Sequence, residues 1–450
     1  MPRLFGTFGV RGVSNVELTP RLAIELSSAL AAYLRNKGTV AVGYDNRTSS
    51  EMLEQAMVAG LTAGGCDVVR IGLAPTPVLS FAVKHFSCDA GVMITASHNP
   101  PEYNGIKFWD SSGAGFQRVK EREIEEIISK QAWRRVPWDR IGGTHQADAL
   151  TPYVRSVLAD VPKVSRKLNI TIDCANATGS VVTPNLLTRL GCKVVSLNCQ
   201  LDGTFPGRLP EPSVDHLKDL SRTVVATGAD LGIAHDGDAD RTIIVDETGE
   251  VLTGDRVFAL VSLHHLSGRK RPKILTTVAT SSVLDDVAEK LGGEVVRTRV
   301  GEPELIGYFK KNGGDIGGEE NGGVIFFERA LVRDGIFTAV KLVEMLAESG
   351  MKISELNATL PIYYQSKQRV NCPNELKPKV LKALEKRFRG YKIDPTDGLR
   401  VVTDDGWLLL RPSGTEPIFR CFAEARSEKR AKELSELGMR ELEASIKSKK

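Results

Sequence analysis

The chain states one pattern three times, and the repetition dictates much of its architecture. A strand-like run Val40-Ala-Val-Gly-Tyr-Asp45 leads into a helix-length stretch, Ser50–Ala63, and then Gly65-Cys-Asp-Val-Val-Arg-Ile71. The pattern returns as Asn169-Ile-Thr-Ile-Asp173, the stretch Val182–Leu190 and Gly191-Cys-Lys-Val-Val-Ser-Leu197. It returns again as Lys273-Ile-Leu-Thr-Thr277, the stretch Ser282–Leu291 and Gly292-Gly-Glu-Val-Val-Arg-Thr298. Each copy reads as strand, helix, glycine stop, strand. Glycine suits the end of a helix because the residue there adopts left-handed backbone angles. The short Val/Ile-rich runs are strands buried between helix layers. The expectation is three similar α/β units with mixed, mainly parallel sheets.

The last part of the chain departs from the pattern. Leu399-Arg-Val-Val-Thr403, Asp404-Asp-Gly406 and Trp407-Leu-Leu-Leu410 predict a hairpin. From about Ser427 to the end, interleaved Lys and Glu predict a helix with a solvated face. Pro361 and Pro373 bracket an expected linker into this smaller C-terminal α+β domain. The chain thus divides at 1–150, 151–250, 251–365 and 366–450 around a central cleft.

Composition excludes several function classes. Lys plus Arg is 60 and Asp plus Glu 56, a net charge of only +4 over 450 residues, which gives no nucleic-acid footprint. No apolar run is long enough to span a bilayer, and Met-Pro-Arg-Leu-Phe-Gly lacks the apolar core of a secretory signal. The seven cysteines are scattered, with no Cys-x-x-Cys pair, so a reducing, cytoplasmic setting is expected.

Four polar stretches carry the chemistry. Thr95-Ala-Ser-His-Asn-Pro-Pro101 follows the strand-like Gly91-Val-Met-Ile94, so Ser97 is either a nucleophile on a stiff loop or the hydroxyl of an ordinary turn. Lys107 is near enough in sequence to reach back to that loop. In Ala234-His-Asp-Gly-Asp-Ala-Asp-Arg241, three aspartates alternate between two strand-like runs. Buried together they repel, and a hard divalent cation, Mg²⁺ or Ca²⁺, resolves the conflict. An EF-hand is excluded, because Arg241 stands at its obligatory glycine and the flanks are strands. Gly317-Gly-Glu-Glu-Asn-Gly-Gly323 offers carboxylates and an amide that suit vicinal sugar hydroxyls, or is simply a charged turn. Arg411-Pro-Ser-Gly-Thr-Glu-Pro417, with Arg420 beyond, has the composition of a phosphate cradle but no nucleotide-binding P-loop signature. Together the four predict one site for phosphoryl transfer on a sugar phosphate. A phosphatase using Asp236 as nucleophile, and a non-catalytic sugar-phosphate binder, are the competing classes.

The chain resembles the α-D-phosphohexomutase superfamily over nearly its whole length. The resemblance rests on Thr95-Ala-Ser-His-Asn-Pro100, Asp236-Gly-Asp-Ala-Asp-Arg241, Gly318-Glu-Glu-Asn-Gly322 and Arg411-Pro-Ser-Gly-Thr-Glu-Pro417, in family order, with Phe5-Gly-Thr-Phe-Gly-Val-Arg-Gly12 as the N-terminal signature. It implies that Ser97 carries a phosphoryl group and that Mg²⁺ is held by that phosphate with Asp236, Asp238 and Asp240. Arg11, His98, Lys107 and Arg241 would stabilise charge or handle protons. Glu319 and Asn321 would grip sugar hydroxyls, and Arg411, Ser413, Gly414, Thr415 and Arg420 would hold the phosphate not being transferred. The four segments become a phosphoserine-bearing, a metal-binding, a sugar-recognition and a phosphate-binding domain. The implied reaction exchanges hexose 6-phosphate and hexose 1-phosphate through a hexose 1,6-bisphosphate, which also serves as activator. The implied partners are small hexose phosphates, and a homodimer is compatible with the chain. Two family branches carry His where this chain has Gly323, so a proton role for that residue is unavailable here. Arg299-Val-Gly-Glu302 and the opening Leu4–Arg11 resemble phosphoglucosamine mutases, so glucosamine 6-phosphate is the expected substrate and glucose and mannose phosphates the alternative.

Overall fold

The computed structural model describes residues 4–6, 9–161, 166–414 and 416–449. Four sheets account for the strands among them. In the first, Thr39–Tyr44 pairs in parallel with Asp67–Leu73 and with Ala90–Ile94. Ala90–Ile94 then turns into the antiparallel Tyr103–Asp110, which pairs with Val10–Val13 at the edge. The second sheet repeats the scheme. Asn169–Asp173 pairs in parallel with Lys193–Leu197 and Leu231–His235, and the last of these returns antiparallel as Thr242–Val245. In the third, Lys273–Thr277 pairs in parallel with Glu294–Thr298 and Ile316–Gly318, which returns as Val324–Ile325.

The three expected helices run Ser50–Ala63, Thr183–Arg189 and Val283–Lys290. Gly65, Gly191 and Gly292 follow them with φ of +88°, +96° and +65°, the left-handed stop that a Cβ would strain. Both faces of the first sheet are covered. Val40 and Val42 pack toward Leu26, Leu53 and Met57, whereas Ala41 joins Val78, Leu79 and Ala82 on the other side. The second of these cores does not stop at the first unit. It runs on through Tyr153, Ile170, Phe258 and Phe326, so the three units share one apolar body.

The fourth sheet is wholly antiparallel and has its own core. Leu399–Thr403 and Gly406–Pro412 form the expected hairpin. Helix Glu428–Lys447 is capped by the Ser427 hydroxyl, which accepts from the Arg430 N–H, and buries Leu434, Leu442 and Ile446. One expectation is corrected. The segment between Pro361 and Pro373 is not a linker: it contains strand Tyr364–Asn371, paired along its full length with Ile418–Ala425. It reads as polar because an edge strand with one half-solvated face has no apolar run to betray it.

Candidate active site

The repeat explains where the polar loops lie. In each of the three α/β units, the strand that completes the parallel set turns back as an antiparallel partner, and the turn is a polar stretch: 95–102, 236–241 or 319–323. Equivalent hairpins therefore present Ser97, the aspartates and Glu319 from one end of the shared body.

Ser97 is fully buried and sits at φ +53°, a left-handed conformation that costs a non-glycine residue of order 1 kcal/mol. A clamp holds it there. The buried Arg47 guanidinium donates to the carbonyls of Ser97 at 2.9 Å, Asn99 at 2.6 Å, Pro100 at 2.6 Å and Tyr103 at 3.0 Å, and is itself paired with Asp45 at 3.1 Å. The metal loop has a counterpart: Arg208 donates to the His235 carbonyl at 2.7 Å and pairs with Asp173 at 3.0 Å. Gly237 lets the two loops meet, because a Cβ there would lie 2.4 Å from the Ser97 carbonyl oxygen.

The Ser97 hydroxyl donates to Asp236 Oδ2 at 2.8 Å. Oxygens of Asp236, Asp238 and Asp240 all lie within 4.8 Å of one another, and all three residues are completely buried. Burial and the two neighbouring aspartates push the Asp236 carboxyl well above its ordinary range. Burial acts the same way on Asp238, but the Lys107 ammonium at 3.0 Å and the Thr76 hydroxyl at 2.7 Å outweigh it and hold the group ionised. Among the described residues, Asp238 Oδ1 and Asp240 Oδ1 have no hydrogen-bond partner. Two orphaned carboxylate oxygens in an all-oxygen cluster beside a serine fit a hard divalent cation such as Mg²⁺.

Lys107, Arg241, His98 and Arg11 gather at the Ser97 and aspartate loops. The Lys107 ammonium, on the strand that follows the Ser97 loop, donates to Asp238 Oδ2 at 3.0 Å. Arg241 Nη2 donates to His98 Nδ1 at 3.0 Å, while its Nε lies 3.7 Å from Asp236 and 3.8 Å from Asp240. The Arg241 charge, burial and Arg11 keep the His98 imidazole neutral. Because Nδ1 accepts from Arg241, the ring proton is on Nε2, which faces Glu211 at 3.6 Å. Arg11 is tied to the loop through Asn99 Oδ1 at 2.9 Å.

The third loop is joined to the second by a residue outside all four motifs. Arg333, 6% exposed, contacts Asp240 at 2.5 Å, Glu319 at 2.7 Å and Glu302 at 3.1 Å. Its aliphatic stem lies over Gly323, where a Cβ would come within 2.3 Å of Arg333 Cδ. Burial raises the Glu302 carboxyl to about 7 and shifts Glu319 in the same direction, each opposed by Arg333. Both Glu319 oxygens are engaged, one by Arg333 and one by the Gly301 N–H at 3.0 Å. Asn321 Oδ1 accepts from Gly323 N–H at 3.1 Å.

The C-terminal loop stands apart. Among the described residues, no hydrogen bond or ion pair links positions 411–420 to the Ser97 or aspartate loops. Arg411 pairs with Asp397 at 2.6 Å and Arg420 with Glu416 at 2.9 Å. The Lys377 ammonium donates to the Ser413 carbonyl at 2.6 Å and the Glu416 carbonyl at 2.5 Å. Gly414 has nothing within 4 Å of a would-be Cβ, and Thr415 lies outside the described residues.

Sequence reading missed Arg47, Arg208, Arg333 and Lys377. Asp45-x-Arg47 directly after a strand, and Arg333-Asp-Gly directly before helix Gly335–Ser349, are the only local signals they leave.

The chain matches the phosphoglucomutase/phosphomannomutase family through four successive domains: the alpha/beta/alpha domains I, II and III over residues 2–135, 151–249 and 253–363, and the C-terminal domain over 369–437. It is 46% identical to a phosphoglucomutase/phosphomannomutase of Thermococcus kodakarensis, covering 99% of this chain and 100% of that protein. It is 48% identical to a protein of Methanopyrus kandleri described as "probable phosphoglucosamine mutase", over 96% of each. Among solved structures, a phosphoglucomutase/phosphomannomutase family protein of Burkholderia thailandensis superposes with a TM-score of 0.90 at 29% identity, over 98% of this chain and 97% of that one.

Proposed function

The chain belongs to the phosphoglucomutase/phosphomannomutase family, and from that premise we propose that it interconverts the 6- and 1-phosphates of a hexose, glucosamine phosphate foremost. The observation that carries the reading is the buried Ser97 hydroxyl bonded to Asp236 within a three-aspartate cluster in which, among the described residues, two oxygens have no hydrogen-bond partner.

In this reading Ser97 rests as a phosphoserine. Asp236, Asp238 and Asp240 would hold Mg²⁺ against it; when bound, that ion neutralises charge on the transferring group. A sugar hydroxyl attacks the phosphorus, loses its proton, and the bond from phosphorus to Ser97 Oγ breaks. The resulting hexose 1,6-bisphosphate turns over and returns its other phosphoryl group to Ser97, which gives up its hydroxyl proton. Arg11, Lys107 and Arg241 surround the transfer point with positive charge. His98, neutral and with Nδ1 3.4 Å from Ser97 Oγ, is placed to take part in the proton movement. Glu319 and Asn321 read sugar hydroxyls in either orientation, after Arg333 and the loop yield part of their present hydrogen bonding. Arg411, Ser413, Gly414, Thr415 and Arg420 hold the phosphate that stays. Their separation from Ser97 calls for an approach of the C-terminal domain during turnover, which also excludes water. Hexose 1,6-bisphosphate would restore phosphate lost from Ser97 and so act as activator.

Three features support glucosamine phosphate: Arg299-Val-Gly-Glu302, the opening segment, and relatives such as that of Methanopyrus kandleri. Phosphomannomutase/phosphoglucomutase activity, the description of the Thermococcus kodakarensis relative, is the alternative. Seven free thiols support the cytoplasm as its compartment, and among the described residues no helix is long and apolar enough to cross a membrane. The test is the mass of the Ser97 peptide before and after incubation with Mg²⁺ and a hexose 1,6-bisphosphate, followed by a panel of glucosamine, glucose and mannose 1-phosphates. One phosphate on Ser97 and loss of turnover in Ser97→Ala are expected. An unphosphorylated Ser97 under both conditions overturns the mechanism.

A further inference from the structure

Three adjacent strands of the C-terminal sheet carry an arginine at the same level. Arg411 lies directly opposite Arg420, and Arg420 directly opposite Arg369 on the edge strand. Directly opposite residues of antiparallel strands project from the same face, so the three guanidinium groups form a row. The other residues on that face fix its direction. Trp407 and Leu409, at alternate positions before Arg411, pack with Phe422 against Val278, Ala279 and Val300 of the third unit. Leu408 and Leu410 point the opposite way, into the domain's own core. The arginine row therefore lies on the face turned to the third unit, just past this apolar patch. It sits where the strands run into the 413–417 loop, whose Pro417 carbonyl accepts from the Cys372 N–H.

Like charges directly opposite one another destabilise a sheet, and two of the three are compensated. Arg411 has Asp397 and Arg420 has Glu416. Lys367, one same-face position before Arg369, lies 5.7 Å from the Phe422 ring. The Arg369 guanidinium, on an exposed residue, has no hydrogen bond or ion pair among the described residues. Neighbouring strands lie about 4.8 Å apart, less than the length of an arginine side chain, so an anion bound by Arg420 is within reach of Arg369.

We propose that Arg369 is a further phosphate-binding residue of the C-terminal domain, joining Arg420 on the hexose phosphate group that is not transferred. The proposal rests on the reading of residues 411–420 as the phosphate cradle. The cradle holds whichever phosphate is idle, so Arg369 binds ground state and transition state alike. Its removal then raises KM and leaves kcat unchanged, in both directions of the reaction.

The experiment compares full-length wild type, Arg369→Gln, Arg369→Lys and Arg411→Gln, assayed with glucosamine 6-phosphate and glucosamine 1-phosphate and, if these are not turned over, with the corresponding glucose phosphates. Arg369→Gln is expected to raise KM about tenfold for both isomers, the low end for a charge-assisted contact at an exposed position. Its kcat is expected to stay within about twofold of wild type. Arg369→Lys recovers part of the loss, because it restores the charge without the planar fork. Added salt narrows the difference from wild type. The position is exposed on an edge strand, so the thermal midpoint is expected to hold. If Arg411→Gln raises KM and Arg369→Gln does not, or if Arg369→Gln lowers kcat alone, the role of Arg369 is refuted. If neither variant changes KM, the cradle reading itself fails.

Discussion

Replacing Arg333 by Met keeps most of the aliphatic stem and removes the one cation that, among the described residues, touches Asp240, Glu319 and Glu302 together. Removing one partner of a buried ion pair costs about 3–5 kcal/mol, because the remaining charge stays desolvated. The carboxylates at Arg333 have one escape, which is to take up protons. Glu302 already titrates at about 7 in the folded protein against an ordinary value of 4.5. The native state thus holds this proton more tightly than the unfolded chain does. Stability is present in full below the ordinary value and is lost as pH rises toward 7 and through it. Loss of Arg333 removes the charge that lowers Glu302 and Glu319, so the window extends upward. The deficit of Arg333→Met relative to wild type is therefore expected to approach about 3–5 kcal/mol at pH 8 and to shrink toward the packing term, about 1 kcal/mol, near pH 5. Mg²⁺ is expected to raise the variant's midpoint more than that of wild type, since a cation at the aspartates relieves Asp240. Thermal and urea unfolding at both pH values, with and without Mg²⁺, give the result directly. A deficit that is the same at pH 5 and pH 8 and indifferent to Mg²⁺ refutes the electrostatic account and leaves Arg333 as packing alone.

Two further outcomes follow from single contacts. Arg47→Met releases four carbonyls and the left-handed Ser97; phosphate incorporation into Ser97 from a hexose 1,6-bisphosphate is expected to fall about 100-fold by mass spectrometry, as for a misplaced reacting group, and incorporation at the wild-type rate would show that the loop holds itself. Asp255, buried where Gln365 of the C-terminal domain reaches the third unit, titrates at about 7 because of burial, with Glu320 and Glu424 adding to the effect and Lys367 opposing it. Wild-type stability should therefore fall as pH rises from about 4 through 7, and Asp255→Asn should flatten that slope in thermal melts; an unchanged slope places the titration elsewhere.

Particular elements show how far the sequence carries. The strand, helix and glycine repeats are written in local composition, and the helices fall within a residue of the expected stretches. Glycine stops and Val/Ile runs act over a few residues, and tertiary packing has no reason to override them. The edge strand Tyr364–Asn371 was illegible, because its polar alternation satisfies a half-solvated edge as readily as a linker. The aspartate cluster was legible because no buried arrangement of three neighbouring carboxylates is tolerable without a counter-charge.

The sequence by itself determined the building blocks and the chemistry: three repeated α/β units, a differing fourth, a serine, an aspartate triplet, and loops with the composition to bind sugar and phosphate. Only the tertiary structure decided which residues act together. It turned the three hairpin loops to one end of a shared core and paired Lys107 with Asp238. It placed Arg47, Arg208, Arg333 and Lys377 as cations that hold those loops in place. It also set Arg369 in line with Arg420 and Arg411. The division has a physical cause. Backbone preference and burial act over a few residues and leave a pattern in the chain, whereas a charge selects its partner by distance in space, and that distance exists only after the chain has folded.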